Sequence, residues 1–253
     1  MAERLVKMAR NSGAAHADAL AVADTGQSIS VRQGRLESVE REDSRGIGLR
    51  AFVETPNGFA FASASTSDVS EAGMQQLAAR VVAMARISEP DPDAVPPVGA
   101  EHPDGQTIRD WLARHPLQDP GWTLDAAREA ALECEAIALD YAPEIRNSEG
   151  ADAAFGTTEV AYAASDGFAA EYAKSSASLS VSVIAGSGDG MQRDYAWHRT
   201  LTADRLRAPR DLAEEAAGRA VRRLGAGRMR SGPATIVLEP RVATSLASHL
   251  ISA

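Results

Sequence analysis

Histidine is the side chain of this sequence best suited to holding a metal ion, and its placement argues against a helical metal site. His16, His102, His115, His198 and His249 are scattered, and no two stand three or four residues apart, the spacing that puts both imidazoles on one helix face. Cys134 falls on the apolar side of a helical pattern. A thiol there serves as a small core hydrophobe, because a nucleophilic cysteine needs an electropositive, accessible setting. The run Gly186-Ser-Gly-Asp-Gly190 could cradle an anion on its backbone N–H groups. Phosphate loops, however, open onto a helix; this one lies between two strand patterns and reads as a hairpin turn. Arg45 and Arg50 flank an alternating strand, with Arg41 nearby. They are candidate peptide or structural contacts: solvated or salt-bridged sheet residues, or a clamp for a carboxylate, which a guanidinium can grip with two parallel bonds. Arg222, Arg223, Arg228 and Arg230 read as a cluster closing a helix. The sequence contains no P-loop, dinucleotide fingerprint, Gly-x-Ser-x-Gly elbow or His-Glu-x-x-His. No catalytic residue and no metal ligand are assigned.

Composition narrows the classes of function. A formal charge of −9 opposes nucleic-acid binding, which needs a basic face to displace counterions from phosphates. No run approaches the roughly 18 apolar residues needed to span a bilayer, and the first residues, Met1 to Lys7, lack a signal-peptide core. One cysteine suits a reducing compartment, so a cytoplasmic location is expected. With 44% hydrophobic but only 5% aromatic residues, the core should be built from small aliphatic contacts.

The elements that must position these residues follow from periodicity. A helix over Glu3–Ser12 stops at Gly13. Strand patterns run through Leu20–Val22, Ile29–Val31 and Ile47–Ala51, with a turn at Gly34 and an Asn57-Gly58 hairpin into Phe59 and Phe61. A long helix starts near Asp68, which caps it with Glu71 three residues on. Seven of the twelve prolines then fall between Ser88 and Trp122, marking a connection with one short helix near Thr107–Arg114 and with Trp111 and Trp122 as anchors. Beyond it the order repeats: a helix after Thr123, strands around Val160–Tyr162, Phe168–Tyr172, Leu179–Val183 and Tyr195–Trp197, and a helix opening at Pro209. The expected fold is α+β, with helices packed on antiparallel sheets in two helix–strands–helix halves, about 1–87 and 123–225, joined by 88–122. No repeat of residue types accompanies the repeated pattern. A buried-type strand over Ala234–Leu238 and a helix from Pro240 follow, and that helix ends without a cap, as if interrupted.

Several segments taken together resemble the TldD/PmbA family, in its PmbA (TldE) branch. They are Gln33-Gly-Arg-Leu-Glu37, Arg45-Gly-Ile-Gly-Leu-Arg50 with Gly58-Phe-Ala-Phe-Ala-Ser63, Asn147-Ser-Glu-Gly150, Ser165-Asp-Gly-Phe168, Leu179 to Gly186, Gly188 to Tyr195, Ala216 to Leu224 and Ala234 to Leu250. The resemblance implies that residues 1–225 are the family's N-terminal α+β region and that 226–253 begin a truncated C-terminal domain. It also implies a heteromeric zinc metallopeptidase acting on unfolded or modified peptides. TldD-type members carry the metal on a His-Glu-x-x-x-His helix, which supplies two ligands and a base for metal-bound water. Here Ser248 stands at the first histidine, His249 at the glutamate and Ala253 at the second histidine. Zinc is therefore expected in a TldD-like partner and no cofactor in this chain, which acts as a non-catalytic subunit binding no nucleic acid and no membrane. Exposed sheet edges could hold an extended peptide by strand addition. The alternative function is a non-proteolytic interaction or regulatory module.

Overall fold

Alternation of small apolar and polar residues carries the chain through long strands. The computed structural model describes residues 1–96, 102–103, 105–114, 119–227 and 230–252. It joins the patterns at Leu20–Val22 and Ile29–Val31 into one strand, β1 (His16–Arg32), followed by β2 (Arg35–Thr55) and β3 (Gly58–Thr66). Gln33 and Gly34 turn β1 into β2 with φ of 51° and 70°, the left-handed pair that a two-residue hairpin of matching twist requires. The second half supplies β4 (Ile145–Ala164), β5 (Ala169–Ala185) and β6 (Gln192–Thr200). All six pair antiparallel in a single sheet ordered β3-β2-β1-β4-β5-β6. The strands of the two halves thus fuse along the β1–β4 pair.

The registers of the two halves coincide. Ile47 faces Ala21 and Thr66 in the first half, while Leu179 faces Ala153 and His198 in the second. The displacement that carries Ile47 onto Leu179 also carries Thr25 onto Thr157. These two threonines face each other in the β1–β4 ladder, hydroxyls 2.8 Å apart, so a pseudo-twofold axis passes between them. Beside it Gly156 faces Gly26, and a Cβ on Gly156 would lie 2.3 Å from the Thr25 carbonyl oxygen. Only glycine permits this approach.

Helices cover one face of the sheet. Helices α1 (Ala2–Asn11) and α2 (Glu71–Ile87) close a core with Ala17, Ala19, Ile47, Leu49 and Ala51. Helices α4 (Leu124–Asp140) and α5 (Pro209–Arg222) close a second core over Ile29, Val31, Ala151, Leu179 and Val181. Fully burying a Leu, Ile or Val contributes about 1.5–3 kcal/mol. Alanine contributes less but lets helix and sheet approach closely. Helix α3 (Gly105–Arg114) lies in the connection. Trp122 anchors that connection edge-on against Phe155, whereas Trp111 is half exposed.

Two local expectations are corrected. Ser70, not Asp68, caps α2: its hydroxyl accepts the Gly73 N–H at 3.1 Å, while Asp68 accepts the Ser70 N–H at 3.0 Å in a preceding turn. Ala234–Leu238 is not a strand, and Ile236 and Val237 are 78% and 90% exposed. An apolar run becomes a buried strand only where a ladder receives it, and among the described residues none does. The helix after it, α6 (Pro240–Ser252), forms as expected, but Leu246 and Leu250 are exposed.

Candidate functional site

Strand alternation decides the two singled-out arginines first. Arg45 and Arg50 point to opposite faces of β2 and do not form one clamp. On the face without helices, Arg50 stands across from Asp18 and grips it, Nη2 to Oδ2 at 2.5 Å and Nε to Oδ1 at 3.3 Å. Tyr162 donates to the same carboxylate at 3.3 Å, and the guanidinium lies 5.2 Å above the Phe52 ring. The bond to Asp18 raises the Arg50 pKa; burial, then Asp18, raises that of Tyr162. Arg50 is thus committed to its own sheet. Arg45 stays exposed, on the helix side, in an open cleft of about 540 Å³ floored by Ala21, Ala23 and Ala161 and flanked by Glu159 and Glu171.

The opposite face of the second half, away from α4 and α5, carries a candidate site that sequence reasoning missed. Leu179, Val181 and Val183 turn into the core, so Ser178, Ser180 and Ser182 line the opposite face. With Asp152, Glu149, Arg193, Tyr195, Trp197 and Arg199 they form an open trough of about 530 Å³. Ser30 and Ser180 donate to Asp152 at 2.6 and 3.5 Å, and Ser182 and Arg193 donate to Glu149 at 2.9 and 3.1 Å. Burial pushes the Glu149 carboxyl up, but the bonds from Arg193 and Ser182 outweigh it and leave the group below the usual carboxylate range. Tyr195 and Trp197 are 47% and 59% exposed. Hydroxyls oriented by carboxylates, with two open rings beside them, are equipped for binding rather than proton transfer. The signal was available as serines at alternate positions of an otherwise apolar strand.

Helix α6 carries Ser248 and His249, which the resemblance sets against the histidine and glutamate of the metal helix. Ser248 donates its hydroxyl to the Thr244 carbonyl at 3.0 Å, and His249 lies exposed one residue on. Ala253 lies outside the described residues. Ser248 and His249 offer one imidazole, which does not fit a zinc ion that requires three or four converging donors. Among the described residues no three His, Cys, Asp or Glu side chains gather as a metal site.

The sheet edges are partly closed. Along β6 the outward carbonyls of Arg193 and Tyr195 accept bonds from Arg223, which caps α5, and from Arg219 within it, at 3.1 and 3.4 Å. Those two groups are not open to an added strand. On β3 the Phe59 carbonyl accepts the Asp91 N–H at 3.0 Å. Arg223 thus serves the sheet; Arg228, expected in the same cluster, lies outside the described residues. Cys134 is a buried core residue whose thiol burial pushes up to about 12. The Gly186–Gly190 run is the β5–β6 hairpin connection. His102 pairs with Asp166 and stacks on Phe168 at 4.6 Å, fastening the long connection to the β4–β5 turn. Among the described residues no helix is long and apolar enough to cross a membrane.

Comparison with known proteins places the fold. Residues 17–85 match the family model described as PmbA/TldA metallopeptidase domain 1, and residues 119–224 match that of the PmbA/TldA metallopeptidase central domain. The chain is 29% identical over 256 residues to the Metalloprotease PmbA homolog of Haemophilus influenzae, covering 98% of this chain and 53% of that protein. It is 28% identical over 237 residues to Metalloprotease PmbA of Escherichia coli, covering 90% and 49%. The chain therefore spans about half the length of the curated relatives it matches. Its fold is similar to that of a putative modulator of DNA gyrase from Bacteroides thetaiotaomicron, with a TM-score of 0.75 at 20% identity, covering 99% of this chain and 55% of that one. It is also similar to TldE from Thermococcus kodakarensis, with a TM-score of 0.59 at 12% identity, covering 87% and 46%.

Proposed function

This chain belongs to the TldD/PmbA metallopeptidase family, and on that premise we propose that it is the N-terminal portion of a PmbA-type (TldE-type) subunit whose zinc is carried by a TldD-type partner. The observation that carries the reading is the donor set of α6. Where metal-bearing members have histidine and glutamate, this chain has Ser248, bonded back to its own helix, and His249. The chain contributes binding surface to a peptidase assembly in the cytoplasm, and its substrate class is unfolded or modified peptide. The trough on the helix-free face supports that role. An extended peptide presents amide N–H donors, which the hydroxyl oxygens of Ser178, Ser180 and Ser182, their own hydrogens turned into the sheet, can accept without regard to sequence, and Tyr195 and Trp197 offer rings for its side chains.

Co-expression with a TldD-type chain tests the assignment. Affinity capture of this chain is expected to retain the partner, with zinc in the complex and less than one equivalent in the isolated chain. Stoichiometric zinc in the isolated chain, with chelator-sensitive peptidase activity, would make it an autonomous hydrolase. Failure to retain any TldD-type chain would favour an interaction module outside proteolysis.

A further inference from the structure

The segment leading into α6 touches the rest of the molecule through a compact set of charges. Asp194, on β6, turns its carboxylate toward the helix-covered side, where it is 3% exposed. Arg241, in the first turn of α6, donates to it twice, Nη1 to Oδ1 at 2.8 Å and Nη2 to Oδ2 at 3.2 Å. Arg223, the residue that caps α5, adds a third bond at 3.3 Å, and the Tyr195 backbone N–H a fourth at 2.9 Å. The Arg241 guanidinium also lies 5.2 Å above the Tyr195 ring and bonds Glu239 at 3.0 Å. Glu239 is held in turn by Arg219 at 2.7 Å, and Arg219 by Glu215 at 2.6 Å. Beyond Arg241, the apolar residues Val242, Leu246, Leu250 and Ile251 are 46%, 60%, 81% and 84% exposed. The helix is held at its root and extends from it.

We propose that Asp194 is the socket of an ionic joint into which Arg241 plugs, and that this joint sets the direction in which α6 leaves the sheet. A bidentate guanidinium–carboxylate pair fixes orientation as well as distance. The second attachment, Glu239 to Arg219, removes rotation about the first. Asp194 and Arg241 are accordingly positioning residues, and the inference stands on this geometry whether or not the chain serves a peptidase. The charged groups facing Asp194 are Arg241 and Arg223, with Glu239, Arg219 and Glu215 behind them. Burial would raise the Asp194 carboxyl, but the bonds from Arg241 and Tyr195 hold it below the usual carboxylate range. The joint should therefore be closed near neutral pH and open in strong acid.

Spin labels at Ser248→Cys and Ser176→Cys, placed in the full chain, read the joint directly, since the buried thiol of Cys134 is shielded from labelling. The expected result is a narrow distance distribution that broadens in Arg241→Gln. Amide exchange over 234–252 should rise about tenfold in Arg241→Gln while β1, β4 and β5 keep their protection. Arg241→Lys, which keeps the charge but loses the fork, should fall between. An unchanged distribution in Arg241→Gln would overturn the proposal. So would equal acceleration of exchange in the central strands, because the residue would then support the fold as a whole.

Discussion

The fully buried carboxylate of Glu135 accepts the backbone N–H of Gly34 at 2.8 Å, and its other oxygen takes that of Gln33 at the same distance. A side chain of α4, in the second half, thus holds the β1–β2 turn of the first. Glu135→Ala leaves two N–H groups without this partner. It should cost about 2–4 kcal/mol in urea denaturation, with Glu135→Gln costing less because one acceptor survives. Equal stability of Glu135→Ala and wild type would refute the clamp.

Gly156 is expected to tolerate no side chain. An alanine methyl would meet the Thr25 carbonyl at 2.3 Å, and the two central strands would have to part. Gly156→Ala should lose about 1–3 kcal/mol in thermal or chemical unfolding, whereas Gly190→Ala, whose new Cβ meets nothing within 4 Å, should lose much less.

These two sites show what was legible in the sequence. The helices and the succession of strands along the chain follow from periodicity, with Gly34 and Asn57-Gly58 marking turns, whereas the β1–β4 pairing that fuses the halves does not. The Glu135 clamp was hidden because one acidic residue beside Cys134 on a helix looks like any solvated position until a turn from the other half arrives over it. The pseudo-twofold relation was hidden because the halves share alternation and register, not residue types: Ile47 matches Leu179, yet Arg50 matches Ser182. Arg45 and Arg50 could be singled out by type, but only the face each occupies separates an exposed cleft residue from a partner of Asp18. Ala234–Leu238 was misread because apolar content alone does not supply a neighbouring strand.

The Cys134 thiol, pushed up to about 12 by burial, should be inert to a disulfide reagent at about pH 8 in the folded protein. Its modification should track unfolding measured by circular dichroism. Rapid labelling of the native chain would show an accessible thiol and contradict the core packing around α4.

Acid should weaken the Asp194 cluster selectively. Its folded pKa lies below the ordinary 3.8, so its contribution is fully present above that value and is lost as pH falls through the lower, folded one. The stability difference between wild type and Asp194→Asn should hold constant near neutrality and shrink in strong acid. A difference that grew as pH fell would reverse this account.

The assembly reading is tested most directly by peptide cleavage. A TldD-type subunit would be assayed on an unfolded peptide alone, with this chain, and with this chain carrying Trp197→Ala, an exposed change expected to alter stability by no more than about 0.5 kcal/mol. Adding the chain should raise the cleavage rate several-fold, chelation of zinc should abolish the gain, and Trp197→Ala should reduce it through weaker peptide binding. A rate unchanged by this chain, at concentrations where the two proteins are bound to each other, would contradict the assembly reading.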